Sequence, residues 1–259
     1  MPAAGDPLDP TVEARSPSGW RRWIEDLGHY EQARVAEFSA ILLVGFIAAA
    51  VLLYAFAWIA SEVLEQDTEH LDLAVLTFLQ GFSSPGLTLV ARGLSAMGSQ
   101  VIVVVGAALL GLFLWQRRWG AAVSLVLVIV GAQLLNNVLK DAFQRTRPTP
   151  VTGFIDAQQF SFPSGHAMVA AAFYLYVAYL TWRLVRGRWR GVLVASLILL
   201  VLLIGLSRLY LQVHYLSDVI AGFVAGVLWT HSVILGGRVL SLHVPPHIRG
   251  SRSAASEDP

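Results

Sequence analysis

The chain has 259 residues and a net charge of +1, so no overall field draws it to nucleic acid. Hydrophobic residues make up 56% and charged residues 14%, against about 25% charged in an ordinary soluble domain. With a mean hydropathy of +0.62 and apolar runs of about 20 residues, this composition excludes a soluble domain and implies an integral membrane protein. There is no cysteine, which excludes disulfides, thiolate chemistry and cysteine metal sites.

Residues 1–17 read as a polar tail, and the first 35 residues lack the early apolar stretch of a cleavable signal peptide. Residues 18–35 mix Trp20, Trp23, Leu27, Tyr30 and Val35 with Arg21, Arg22 and Arg34. They predict either an amphipathic helix on the membrane surface or a solvated lead-in. The first span covers roughly 36–60. Residues 61–98 are too broken for a clear span. Leu71, Val75, Phe78, Leu79 and Phe82 repeat at helical spacing, Ser83 to Gly86 interrupts, and Leu87 to Met97 resumes. Two short helices at the outer interface are predicted, as a lid or lipid gate; a kinked span over 72–95 is the alternative. Further spans follow at about 99–116, 120–140, 165–183, 190–209 and 216–236. The expected fold is an all-α integral membrane bundle of six transmembrane helices, with short interfacial helices between the first two. Residues 36–236 form the membrane domain and 237–259 a C-terminal tail.

The positive-inside rule places both termini in the cytoplasm. Of the 18 Lys and Arg residues, only Arg92, Lys140, Arg145, Arg147 and Arg208 then face outward, and three of these, Lys140, Arg147 and Arg208, are signature positions of the motifs below. All three motifs fall on the extracytoplasmic side.

The first motif runs from Lys140 to Pro148, the second is Pro163-Ser164-Gly165-His166, and the third runs from Ser207 to Asp218. Polar groups at membrane depth are expensive unless they serve a site. Gln133, Asn137 and Lys140 fall at i, i+4 and i+7, one face of a helix. For Gln133 and Asn137 a helix–helix hydrogen-bond contact is the plainer reading. Lys140 and Arg147 bracket a turn and suit a phosphate clamp. Ser164 and Gly165 open a helix, where free N–H groups and the positive dipole end favour an anion. Gly165 admits a close approach, and His166 stands where a leaving oxygen needs a proton. Ser164 alone is an ordinary helix cap. His214 and Asp218 are four apart and adjacent on a helical turn. A carboxylate on one ring nitrogen fixes the tautomer and raises the basicity of the other, which makes a nucleophile. A buried structural pair is the alternative, weakened by the nearby Arg208, Lys140 and Arg147.

The pattern KxxxxxxRP, PSGH and SRxxxxxHxxxD resembles the signature of the type 2 phosphatidic acid phosphatase superfamily. It matches at Lys140, Arg147, Pro148, Pro163, Ser164, Gly165, His166, Ser207, Arg208, His214 and Asp218, and the resemblance covers roughly 36–236. It implies that His214 attacks phosphorus to give a phosphohistidine. Asp218 orients His214, and His166 protonates the leaving oxygen and later activates water. Lys140, Arg147, Arg208, Ser164 and the Gly165 N–H hold the phosphoryl oxygens. It implies no metal and no other cofactor, since three fixed cations stabilise charge where magnesium does elsewhere. The expected partners are a phosphorylated lipid substrate and the surrounding membrane lipids, with no nucleic acid and the oligomeric state open.

A lipid phosphate or pyrophosphate phosphatase is the leading expectation, with undecaprenyl pyrophosphate as the first substrate. Phosphatidylglycerol phosphate, phosphatidic acid and lipid A phosphates stay open. A lipid phosphotransferase, a vanadate-dependent haloperoxidase (soluble, unlike this chain) and a non-catalytic lipid transporter are the competing classes. Asp67, His70 and Asp72 are read as a solvated outer loop rather than metal ligands, and His231 as a packed or lipid-facing residue. Asp156, Gln158 and Gln159 are read as plain loop. Gly222 and Gly226 have small-xxx-small spacing for a close helix contact.

Overall fold

Helix α7 (Gly165–Leu184) is buried on nearly every side, because Ala167, Ala170, Ala171 and Ala172 leave no bulk to keep neighbours away. The computed structural model describes residues 18–148 and 160–243. The other helices are, in chain order, α1 (Ser18–Leu64), α2 (Glu69–Gln80), α3 (Pro85–Met97), α4 (Gln100–Trp115), α5 (Trp119–Val126), α6 (Ala132–Phe143), α8 (Trp189–Tyr210) and α9 (Leu216–His243). Two compact units divide at Phe46 and Ile47. In the first, the segment 18–35, read from sequence as either a surface amphipathic helix or a solvated lead-in, is helical as part of α1, and the packing below concerns the second.

Among the described residues, six helical stretches are long and apolar enough to cross a bilayer: Ser39–Leu64, Pro85–Trp115, Trp119–Phe143, Gly165–Leu184, Trp189–Tyr210 and Leu216–Leu240. The chain is a multi-pass membrane protein. The two short helices expected over 61–98 are α2 and α3. One detail differs from the sequence reading. Only Gly98 and Ser99 separate α3 from α4, so α3 heads the second apolar stretch, of 31 residues, and also packs on α8. At 1.5 Å per residue that is about 46 Å, well beyond a hydrocarbon core of about 30 Å. The sixth helix continues past residue 236 to His243. The tails and the loop residues Asp156, Gln158 and Gln159 lie outside the described residues.

Helix α9 lies tightly on α7, as the Gly222–Gly226 spacing predicts. A Cβ on Gly226 would meet the Ala171 Cβ at 2.8 Å, and one on Gly222 the Ser164 carbonyl oxygen at 2.7 Å. Thr230 Oγ1 donates to the Ala172 carbonyl at 3.0 Å across the same seam.

The third span is not one regular helix. Between α5 and α6, Leu127–Gly131 forms a single wide π turn. The Leu127 carbonyl accepts from Trp229 Nε1 at 2.9 Å. The Trp229 indole seats directly on Gly131, where any side chain would collide with the ring.

At one end of the bundle, Phe162 packs edge-on against Phe143 with ring centres 4.9 Å apart, and against Phe56 at 6.0 Å. These three rings join α1, the end of α6 and the segment entering α7, and so fix where Pro163 and Ser164 stand.

Candidate active site

Lys140 lies in the last turn of α6, buried at 9% exposure. The helix stops because Gln144 takes the left-handed conformation, φ 47°, and its N–H returns to the Lys140 carbonyl at 2.9 Å. That turn swings Arg145 and Arg147 back over the bundle end. Ser161 ties the two edges of the following loop. Its N–H donates to the Arg145 carbonyl at 2.8 Å, and its hydroxyl to the Thr146 carbonyl at 3.0 Å. Lys140 Nζ donates to the Phe160 carbonyl.

The stripe drawn from sequence through Gln133, Asn137 and Lys140 needs correction. The buried row of α6 is Ala132, Asn136 and Lys140 at strict four-residue spacing. Gln133 and Asn137 point outward and bond to each other at 3.0 Å, within one helix rather than between two. Each is one residue, about 100°, away from the buried row. Asn136 was missed. Its Nδ2 donates to the Pro163 carbonyl at 3.3 Å, and its Oδ1 occupies the space that a side chain at Gly165 would need.

Ser164 caps α7 in extended backbone, φ −67° and ψ 113°. Its hydroxyl makes no cap bond. Oγ is fully buried and has no partner among the described residues, whereas a capping serine ordinarily bonds the first turn. The Ser164 N–H donates to the Asp218 carbonyl at 3.0 Å, which pins the second motif to the third.

Arg208 ends α8 with one Nη on Ser95 Oγ of α3, while its buried Nε has no partner among the described residues. Arg147 Nη1 donates to the Val213 carbonyl at 3.1 Å, beside His214. His214 is 2% exposed and Asp218 wholly buried. His214 Nδ1 faces Asp218 Oδ2 at 3.5 Å and has no closer partner among the described residues. Burial drives the His214 pKa down to about 4. Asp218 opposes that shift, and Arg147 and Arg208 add to it. The imidazole is therefore neutral near pH 7. Lys140 lies within electrostatic reach of Arg147, Arg208 and Asp218, His166 of Lys140, Arg147, Arg208 and His214, and His214 of Asp218, Arg147 and Arg208.

Two residues that the sequence reading set aside or passed over lie directly behind His214 and Asp218. Asp72 is not in a solvated loop but on α2, 1% exposed. Its Oδ1 accepts from the Ser217 N–H at 2.9 Å and its Oδ2 from the Ser217 hydroxyl at 2.6 Å. Arg145 Nη2 donates to Asp72 Oδ2 at 2.9 Å and Nη1 to Asp218 Oδ1 at 2.7 Å. Burial works against the Arg145 charge, but Asp218 and Asp72 outweigh it and raise its pKa. A signal was present in the sequence. Asp72 heads the row Asp72, Val75, Leu76 and Leu79, the inward face of α2. A carboxylate on an apolar stripe calls for a buried partner.

Similarity to known proteins agrees with this geometry. Residues 121–238 match the PAP2 superfamily. The chain is 33% identical over 153 residues to phosphatidylglycerophosphatase B of Bacillus subtilis, covering 56% of this chain and 72% of that protein. The chain belongs to the PAP2 superfamily. Another relative in that superfamily, decaprenylphosphoryl-5-phosphoribose phosphatase of Mycobacterium tuberculosis, is 32% identical over 160 residues, covering 60% of this chain and 84% of its own. The crystal structure of a transmembrane PAP2-type phosphatidylglycerolphosphate phosphatase from Bacillus subtilis superposes with a TM-score of 0.65 at 27% identity. It covers 76% of this chain and 98% of its own. These relatives are lipid phosphatases, and the chain is an enzyme of that class.

Proposed function

We propose that this PAP2 protein hydrolyses a phosphate monoester or pyrophosphate on a membrane lipid through a phosphohistidine at His214. One observation carries the reading: among the described residues, Ser164 Oγ and Arg208 Nε are buried without partners beside a neutral histidine. A buried unpaired donor is costly, and a phosphoryl group would satisfy both. Lys140, Arg147 and the first-turn N–H groups of α7 would hold its remaining oxygens.

In the first step the Nε2 lone pair of His214 forms the N–P bond while the P–O bond to the lipid breaks. The electron pair leaves with that oxygen, which takes a proton from His166. Asp218 holds Nδ1–H and balances the charge that appears on the ring. In the second step water gives a proton to His166 and attacks phosphorus, and the N–P bond returns its pair to Nε2. The three cations meet the charge on the transferring group, the main demand of phosphoryl transfer.

Phosphatidylglycerophosphate is the first lipid to test, since two of the relatives are named for that activity. Undecaprenyl pyrophosphate, the expectation from sequence, stays in the panel beside it. The charge distribution supports a site at the extracytoplasmic face and cytoplasmic termini. The test is phosphate release by purified protein in detergent with EDTA, from phosphatidylglycerophosphate, undecaprenyl pyrophosphate and phosphatidic acid. Release should survive EDTA and fall by roughly 100-fold or more in His214→Ala and in Arg208→Ala. Wild-type rates in either variant would overturn the assigned roles.

A further inference from the structure

We infer that Asp72 and Arg145 form a positioning pair that holds Asp218 against His214. This places α2, a helix outside all three motifs, in the support of the nucleophile. The inference rests on the phosphohistidine reading for its chemical meaning, but its geometry stands alone.

The four residues form one line, in which Asp72, Arg145 and Asp218 alternate in charge and end on the His214 ring. Asp72 Oδ2 meets Arg145 Nη2 at 2.9 Å, Arg145 Nη1 meets Asp218 Oδ1 at 2.7 Å, and Asp218 Oδ2 faces His214 Nδ1 at 3.5 Å. Each link also has a fixed frame. The Tyr215 N–H donates to Asp218 Oδ2 at 2.9 Å, so this oxygen already points at the turn bearing His214. Arg145 Nη1 shares its bond with Ser217 Oγ at 2.7 Å, and its guanidinium stacks over the Tyr215 ring at 4.3 Å. Asp72 takes both Ser217 donors, the backbone N–H in the first turn of α9 included. A carboxylate from α2 thus caps the helix that carries Asp218.

Charge gives this line a purpose. Asp72, Arg145 and Asp218 sum to −1 in a buried setting. Forming the N–P bond makes the His214 ring positive, and the line then sums to zero. Without Asp72 the line begins at zero and ends at +1, which a low-dielectric interior resists. Without Arg145, two buried carboxylates face each other unpaired. Arg145 also occupies Oδ1, which leaves Oδ2 alone to face the imidazole. That selects the ring form with the proton on Nδ1 and the lone pair on Nε2. Asp72 and Arg145 touch no reacting atom, so they position rather than catalyse.

The test pairs kinetics with a reading that needs no substrate. 15N NMR of histidine-labelled protein in detergent reports the His214 tautomer directly. Wild type should be mainly Nδ1–H, and Asp72→Asn a mixture of both tautomers. In the phosphate-release assay Asp72→Asn should lose roughly tenfold or more in kcat with KM nearly unchanged. If Asp72→Asn does not fold, Arg145→Lys keeps the charge but gives up one arm of the fork, and should show the same mixture. A folded variant with the wild-type tautomer and wild-type kcat overturns the inference. Absence of phosphate release from wild type would count against the phosphatase reading, while the tautomer result would still decide the pair.

Discussion

Asn136 fills the place where residue 165 would otherwise carry a side chain: its Oδ1 lies 2.8 Å from an ideal Cβ on Gly165. The same amide donates to the Pro163 carbonyl at 3.3 Å, so α6 grips the backbone just ahead of α7. Glycine at 165 is thus required by close approach, in an ordinary helical conformation.

Gly165→Ala should therefore cost activity more than stability. The new methyl displaces the Asn136 amide, loosens Pro163 and shifts the first turn of α7 by a fraction of an ångström. A displacement near 1 Å at reacting groups can cost about 100-fold in rate. Phosphate release should fall by roughly 10- to 100-fold, with the melting temperature little changed. Adding Asn136→Ala should return part of the rate by clearing the space. Full activity in Gly165→Ala would show that the approach is not needed.

His214 should titrate far below an ordinary histidine. Burial sets its pKa at about 4, against 6.5 for the free side chain. Between these values the unfolded chain binds the proton and the folded one does not. The stability from this group is thus complete above pH 6.5 and is lost as the pH falls toward 4. An NMR titration of substrate-free protein should place the His214 midpoint near the lower value. The nucleophile then remains usable at pH 5. A midpoint at 6.5 would contradict the buried neutral ring.

Gly226→Ala should damage the bundle itself. The added methyl meets the Met168 carbonyl oxygen, which cannot swing aside, and the Ala171 Cβ at 2.8 Å. Overpacking of this kind costs roughly 1–3 kcal/mol. Thermal unfolding in detergent should occur several degrees lower. Gly86→Ala, where nothing lies within 4 Å, is the control and should unfold like wild type.

The absence of native cysteine makes orientation easy to measure. Gly86→Cys, at the start of α3, should react with a membrane-impermeant maleimide on intact cells. Arg186→Cys, in the exposed turn between α7 and α8, should react only after permeabilisation. The reverse pattern would invert the proposed topology.

The three motifs were legible because their spacing is local and their charges stand out against an apolar chain. Lys140, Arg147, Ser164, His166, Arg208, His214 and Asp218 meet at one end of the bundle as that spacing implies. The face that Gly222 and Gly226 turn to α7 was legible for the same reason. Asp72 was not, because its partners Arg145 and Ser217 are 73 and 145 positions away and no local rule links them. Asn136 was hidden by a one-residue error in the buried face of α6. The break at Gly98 and Ser99 looked like the end of an interfacial helix, since two residues outside helical pattern do not reveal whether the axis continues.

The π turn at Leu127–Gly131 acts as a phase setting for the third span. A wide turn absorbs one extra residue, so the side chains after it keep the direction they would have had without that residue. Delete one residue within the turn and the helix can close into regular α geometry with α6 facing the same way. Delete one residue between Gly131 and Lys140 instead, where no wide turn takes up the change, and everything beyond it turns by about 100°. The Lys140 cation, more than a dozen ångströms along the axis by about 1.5 Å per residue, is aimed by a backbone irregularity that carries no charge and contacts no phosphate. The enzyme should then bear a single-residue deletion inside the wide turn far better than one placed a turn later.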